Sequence, residues 1–159
     1  MKLEFGDMWS IFGQTDLFCI TTNATVKANG ALVMARGLAA EAKIKVQNID
    51  LKFGELIRNA PNPYYFIIWK RSSKRSIAAY QVKDHFADKA KIELIEGAAL
   101  KLEALAREYP SCRFNLNFPG IGNGQLRIEE VLPIISILPD NVHVWRKKKR
   151  RMKNGQNRS

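Results

Sequence analysis

The stretch that most constrains this chain is Phe118-Pro119-Gly120-Ile121-Gly122-Asn123-Gly124-Gln125-Leu126. Its three glycines stand at alternate positions, which removes every other Cβ. Backbone N–H groups there can turn inward and approach a ligand closely. Arg113 to Asn117 before it alternates apolar and polar residues and reads as a strand. Ile128-Glu129-Glu130-Val131-Leu132 after it reads as the start of a helix. A loop that feeds a helix N-terminus also aims the positive end of the helix dipole at that place. Strand, glycine loop and helix together describe either a phosphate cradle or a tight turn that simply needs glycine. No Gly-Lys-Ser/Thr follows the glycines, so this is not a Walker A loop. The spacing Gly-x-Gly-x-Gly, late in the chain and with no acid about 20 residues on, fits a dinucleotide fingerprint poorly.

The 159 residues suffice for one domain with a real core. The net charge of +11 is unevenly placed. Residues 146–159 carry eight Lys and Arg and no acid, which leaves +3 on residues 1–145. With Met152 as its one large apolar residue, the segment 146–159 reads as a disordered basic tail behind a domain of residues 1–145. Such a run is either a solvated tail or a contact for nucleic acid. No run approaches the length of a membrane helix, and Met1 to Phe5 contains no secretory apolar region. The two cysteines, Cys19 and Cys112, lie in apolar strand-like runs. They read as buried free thiols in a reducing, cytoplasmic setting.

Along the chain, Leu3 and Phe5 alternate with charge and suggest a short first strand. Asp16 to Thr22 is a continuous apolar, β-branched run, which suits a central strand buried on both faces. From about Ala31 the spacing of Met34, Leu38, Ala42 and Val46 predicts a helix, with Gly37 inside it. A second helix is expected over about Leu51 to Arg58, ended by Pro61-Asn62-Pro63. Tyr64 to Trp69 and Ser76 to Val82 read as a hairpin turned at Lys70 to Arg75. Asp88 is placed to cap a long helix to about Arg107, whose apolar face is Ile95, Ala98, Ala99, Leu102, Leu105 and Ala106. The helix after the glycine loop is expected to reach about Leu138, with Pro133 able to kink it. Val142 to Trp145 is a last strand. This order predicts an α/β fold, a three-layer α/β/α sandwich with a mixed central sheet. Asn23, Lys83 and Gly120 to Gly124 all follow strands, and in such sheets ligands bind beyond the carboxyl ends of strands.

Several stretches, taken in order, resemble a macrodomain. Asp16 to Asn23 followed by Asn29-Gly30-Ala31-Leu32-Val33-Met34-Ala35-Arg36-Gly37-Leu38-Ala39 is similar to the phage and bacterial branch. There a Thr-Thr-Asn strand end leads to Met-Gly-Arg-Gly. Gln81-Val82-Lys83 with Phe86 looks like that branch's Val-Lys segment. Phe118 to Leu126 resembles its Pro-Gly-x-Gly-Asn-Gly-Gly-Leu loop, and Gly6-Asp7-Met8 its Gly-Asp-aliphatic motif. The likeness covers about residues 3 to 145. It implies binding of ADP-ribose, free or on a macromolecule, with no metal and no cofactor. It also implies roles. Asp7 would take the adenine amino group, with Met8 beside it. Asn23 would sit near the distal ribose, with Phe86 at the site. Val33, Met34, Ala35, Arg36 and Gly37 would line diphosphate and distal ribose from one side. Pro119, Gly120, Ile121, Gly122, Asn123 and Gly124 would do so from the other. In the lysine-using hydrolases of the family, a residue matching Lys83 attacks the distal ribose. The pattern departs at Ala35 and Gln125, where the branch has glycine. It departs again at Asn123 to Gln125, which lack the aspartate of some hydrolases, and at Asp84-His85-Phe86.

Each residue has a plainer reading. Asp7 also suits a turn at a strand end, and Asn23 a loop brace. Lys83 can stay charged and pair with phosphate or Asp84. His85 has no second ligand at metal spacing, and no Ser–His–Asp set is spaced for a triad. Tyr64, Tyr65, Phe66 and Trp69 read as core rather than as a stacking surface. The alternative to an ADP-ribose site is a nucleic-acid-binding protein that acts through residues 146–159.

Overall fold

The computed structural model describes residues 1–71 and 75–147. Its strands are β1 (Lys2–Phe5), β2 (Leu17–Thr22), β3 (Phe66–Trp69), β4 (Ser76–Gln81), β5 (Phe114–Asn117) and β6 (Val142–Arg146). They form one sheet in the order β1-β6-β5-β2-β4-β3. Every neighbouring pair is parallel except the β3–β4 hairpin. The helices are α1 (Gly37–Lys45), α2 (Ile49–Arg58), α3 (Ile92–Glu108) and α4 (Ile128–Ile135).

Strand residues alternate between two buried faces, which is why β2 and β4 show no polar alternation. Cys19, Ala78, Tyr80, Leu116 and Val144 face α3 and α4, where Ile95, Ala98, Leu102, Val131 and Ile135 complete one core. Phe18, Ile20, Ile77 and Ala79 face the other way, onto Ala42 of α1 and Ile49 and Phe53 of α2. The result is the expected three-layer sandwich with a mixed sheet. Among the described residues, no helix is long and apolar enough to cross a membrane.

Four expectations need correction. The helix expected from Ala31 starts only at Gly37. Residues 31–36 are instead laid across the sheet as extended chain, through Leu32 N–H to Asp50 O (2.9 Å) and Val33 N–H to Thr25 O (2.9 Å). Asp88 does not cap α3, which begins after Lys91; its carboxylate accepts from the His85 N–H at 3.4 Å. Cys112 sits half-buried in the bend before β5, while Cys19 is fully buried and burial pushes its thiol pKa up. α4 ends at Ile135, two residues after Pro133. The expected tail, from Lys148 onward, lies outside the described residues; Arg146 itself ends β6.

One close approach sets the distance between hairpin and helix. A Cβ on Gly97 of α3 would lie 2.4 Å from two ring carbons of Tyr65. Gly97→Ala would gain about 1 kcal/mol of helix propensity, but overpacking costs about 1 to 3 kcal/mol. A lower melting temperature is expected; a rise would show that the ring moves aside freely.

Candidate functional site

Because β1, β6, β5, β2 and β4 run parallel, their carboxyl ends lie along one edge of the sheet. Each strand delivers a different segment to that edge: β1 delivers Gly6–Asp7, β2 Asn23, β4 Val82–Lys83, β5 Phe118–Gly124 and β6 Arg146–Lys147. The edge carries a cleft with two chambers that share Gly37, Leu38, Asn117, Phe118, Ile121 and Asn123.

The narrower chamber holds about 140 Å³ and sits over the ends of β2, β4 and β5. Asn23, Val33, Ala35, Arg36, Gly37, Lys83, Phe86, Gly120, Ile121, Asn123 and Gly124 all line it. Its floor is tied by Asn117, whose Nδ2 donates to Thr21 Oγ1 at 2.7 Å and whose Oδ1 accepts from the Thr21 N–H at 3.0 Å. Asn23 braces the rim: its Nδ2 donates to Val33 O and its Oδ1 accepts from the Thr25 N–H, both at 2.9 Å. The loop-bracing reading of Asn23 therefore holds, and the residue lines the chamber as well.

Backbone donors dominate this chamber. In the glycine loop, Gly124 N–H, Gln125 N–H and Leu126 N–H bond back into the loop. The N–H groups of Gly120, Ile121, Gly122 and Asn123 have no acceptor among the described residues. Gly120 and Gly122 adopt φ +80 and +66, the left-handed backbone that favours glycine. Across the gap, α1 begins at Gly37 with no side-chain cap from Arg36. The N–H groups of Gly37, Leu38 and Ala39 likewise lack an acceptor, and the first bond of the turn is Ala40 N–H to Arg36 O. The glycine loop and the N-terminus of α1 thus both bring orphan donors to this chamber, and α1 adds the positive end of its dipole.

Lys83 stands beside them, half-buried. Its Nζ donates to Asp88 O (3.1 Å) and Phe86 O (3.4 Å). It does not pair with Asp84, which is held by Lys91 at 2.5 Å and by Gln81. Desolvation first, and the nearby Arg36 guanidinium second, hold the Lys83 pKa below its ordinary value; Asp88 opposes them. A neutral amine has two N–H donors and one lone pair. The two carbonyls satisfy both donors and leave the lone pair free.

The second chamber is wider, about 860 Å³, and holds Asp7, Met8, Gly37, Ile121, Gly122 and Asn123. Asp7 Oδ1 accepts from the Trp9 N–H at 3.0 Å and so starts the 3₁₀ segment Met8–Gln14. The turn reading of Asp7 holds, with its second oxygen still free to accept from a ligand. Two expected residues do not line the cleft. Met34 is buried in the core, because in extended chain its neighbours Val33 and Ala35 take the opposite side. Pro119 is buried beneath the loop.

The walls also include residues that sequence reasoning missed. Asn117 ends β5 and Phe118 follows it, and the strand-end rule that found Asn23 points to them as well. Trp9, Glu41, Lys45, Trp145, Arg146 and Lys147 line the wide chamber. Trp9 is tied to α1 through Glu41, and β6 brings Trp145, Arg146 and Lys147 beside them.

No protein-family model and no curated protein matches the sequence. Solved structures do. The chain is similar to the macrodomain of Thermus aquaticus DarG, with a TM-score of 0.72, 20% identity, and 94% of this chain and 97% of that one covered. It is similar to Thermosipho africanus DarTG, solved in complex with ADP-ribose, with a TM-score of 0.74, 18% identity, and 94% of this chain and 43% of that one covered. The macrodomain of Mycobacterium tuberculosis DarG gives a TM-score of 0.67 at 18% identity, over 90% of this chain and 96% of that one. The fold is that of the macrodomains.

Proposed function

We propose that the chain is a macrodomain of the phage and bacterial branch that binds ADP-ribose, free or attached to a macromolecule, and hydrolyses the attachment through Lys83. The observation that carries the binding is the pair of orphan donor sets, Gly120, Ile121 and Asn123 of the glycine loop and Gly37 to Ala39 at the start of α1, which line one cavity. A diphosphate is the group that such backbone donors and a helix N-terminus fit best. With the diphosphate between them, the distal ribose faces Asn23, Ala35, Phe86 and Lys83. The adenosine faces Asp7 and Met8, where the free carboxylate oxygen accepts from the exocyclic amine. The ADP-ribose held by the DarTG structure supports the same ligand class.

In the hydrolytic step the neutral Lys83 amine attacks the anomeric carbon of the distal ribose. A C–N bond forms as the bond to the departing group breaks with its electron pair. The proton lost from nitrogen goes to that group, and water then frees the lysine.

Calorimetry with ADP-ribose against AMP and ribose 5-phosphate tests the binding. ADP-ribose is expected to bind tighter than either fragment. At one hundred times its Kd it should stabilise the fold by about 2.7 kcal/mol and raise Tm by several degrees. No heat and no shift at millimolar ADP-ribose would refute the reading.

A further inference from the structure

The sheet opens at the narrower chamber. β2 keeps its pairing with β4 as far as Thr22 and Gln81, but it leaves β5 after Cys19 and Leu116. β5 runs on beside β6 to Asn117 and Trp145. The Asn117 carboxamide bridges the gap. Its Oδ1 accepts from the Thr21 N–H at 3.0 Å, so its Nδ2 faces Thr21 Oγ1 and donates to it at 2.7 Å. A hydroxyl that accepts one bond still has its own proton to give, and an amide nitrogen carries two N–H groups. Neither the Thr21 hydroxyl proton nor the second Asn117 N–H has an acceptor among the described residues. Thr22, next in the strand, differs. Tyr64 gives its one proton to Asn23 O at 2.6 Å, so the 2.6 Å bond between Thr22 and Tyr64 takes the Thr22 proton. Among the described residues, no acidic side chain lines this chamber. Asn117 also lines the wide chamber and Thr21 does not, so the pair stands where the two chambers join.

We infer that Thr21 and Asn117 form a side-chain seat for one oxygen of the diphosphate, alongside the backbone donors of the glycine loop and α1. The two donor atoms lie 2.7 Å apart, close enough for one oxygen to accept from both. A phosphate oxygen carries charge and no proton, so it accepts from both without turning a donor of its own elsewhere. The inference rests on the ADP-ribose reading, in which the diphosphate spans the join between adenosine and distal ribose. It makes Thr21 and Asn117 specificity-determining residues for the diphosphate.

The test is calorimetry on the full chain with ADP-ribose and with ADP, which keeps the diphosphate and lacks the distal ribose. Thr21→Val keeps the shape of the side chain and loses the hydroxyl. It is expected to weaken both ligands by the same factor, about tenfold, as loss of a hydrogen bond to a charged group does. Thr21→Ser keeps the hydroxyl and should bind both as the natural chain does. Asn117→Asp keeps the oxygen that accepts from the Thr21 N–H and puts charge in place of the N–H donors. It should weaken both ligands by about a hundredfold, and it carries the test if Thr21→Val does not fold. Affinity for ADP that is unchanged in the variant tested overturns the inference. A loss confined to ADP-ribose overturns it too, because the donors then serve the distal ribose. So does ADP that fails to bind a chain that binds ADP-ribose, and so does a loss in Thr21→Val that Thr21→Ser shares, which is a packing effect. Failure of the natural chain to bind ADP-ribose sinks the ADP-ribose reading, and the inference with it.

Discussion

Lys83→Ala is expected to stop release of ADP-ribose from a modified protein or nucleic acid while ADP-ribose still binds within about tenfold of its natural affinity, because in the proposed route one side chain supplies the nucleophile and the backbone supplies the seat. The pH profile carries the same information. The free amine reacts and the ammonium does not. Activity should therefore rise with pH through the lowered Lys83 pKa, below 10.5, and level off above it. Arg36→Gln removes the cation that disfavours the ammonium, so the midpoint should move to higher pH. A bound diphosphate favours the ammonium, so the midpoint in kcat should lie above that in kcat/KM. Release that survives Lys83→Ala rules out the lysine route. A chain that binds ADP-ribose but releases none from any substrate is a reader.

Gly122→Glu should abolish binding, by a hundredfold or more, and leave the fold intact. A Cβ at Gly122 meets no atom within 4 Å, so no clash opposes the substitution. The backbone there is at φ +66, which costs an L-residue about 1 to 2 kcal/mol. Gly122 lines the wide chamber between Ile121 and Asn123, which both chambers share, so the carboxylate would stand at their junction and repel a diphosphate there. Gly122→Ala separates the effects: it shares the strain but adds neither charge nor reach, so affinity should fall far less. Retained affinity in Gly122→Glu would mean that the loop does not seat phosphate.

Three parts of the narrower chamber were legible because each follows a strand in sequence. Asn23, Lys83 and Gly120 each stand where an apolar run breaks. The parallel sheet then brings those breaks to one edge. The segment before α1 misled because Met34, Leu38 and Ala42 fit a helical period. Leu32 and Met34 fit an extended one equally well, and Asp50 and Thr25, distant in sequence, supply the bonds that decide it. The 3₁₀ segment Met8–Gln14 has no period long enough to register. The wide chamber was illegible for a different reason. Trp9, Glu41, Lys45 and Trp145 are unremarkable where they stand in the sequence. They become a wall only when α1, the segment after β1 and the end of β6 meet.

That meeting also bears on the order of assembly. β1 pairs with β6 alone, joining Lys2 to His143 and Phe5 to Arg146, so the first strand to be synthesised waits for the last. β2, β4, β5 and α3 find partners among residues 17–117 and can associate while β1 is still an unpaired strand. Closing so long a loop is slow, which makes the β1–β6 edge the last part of the sheet to form. A chain that ended before Val142 would lack the strand that β1 pairs with, and Gly6–Asp7 would then have no fixed place beside the glycine loop.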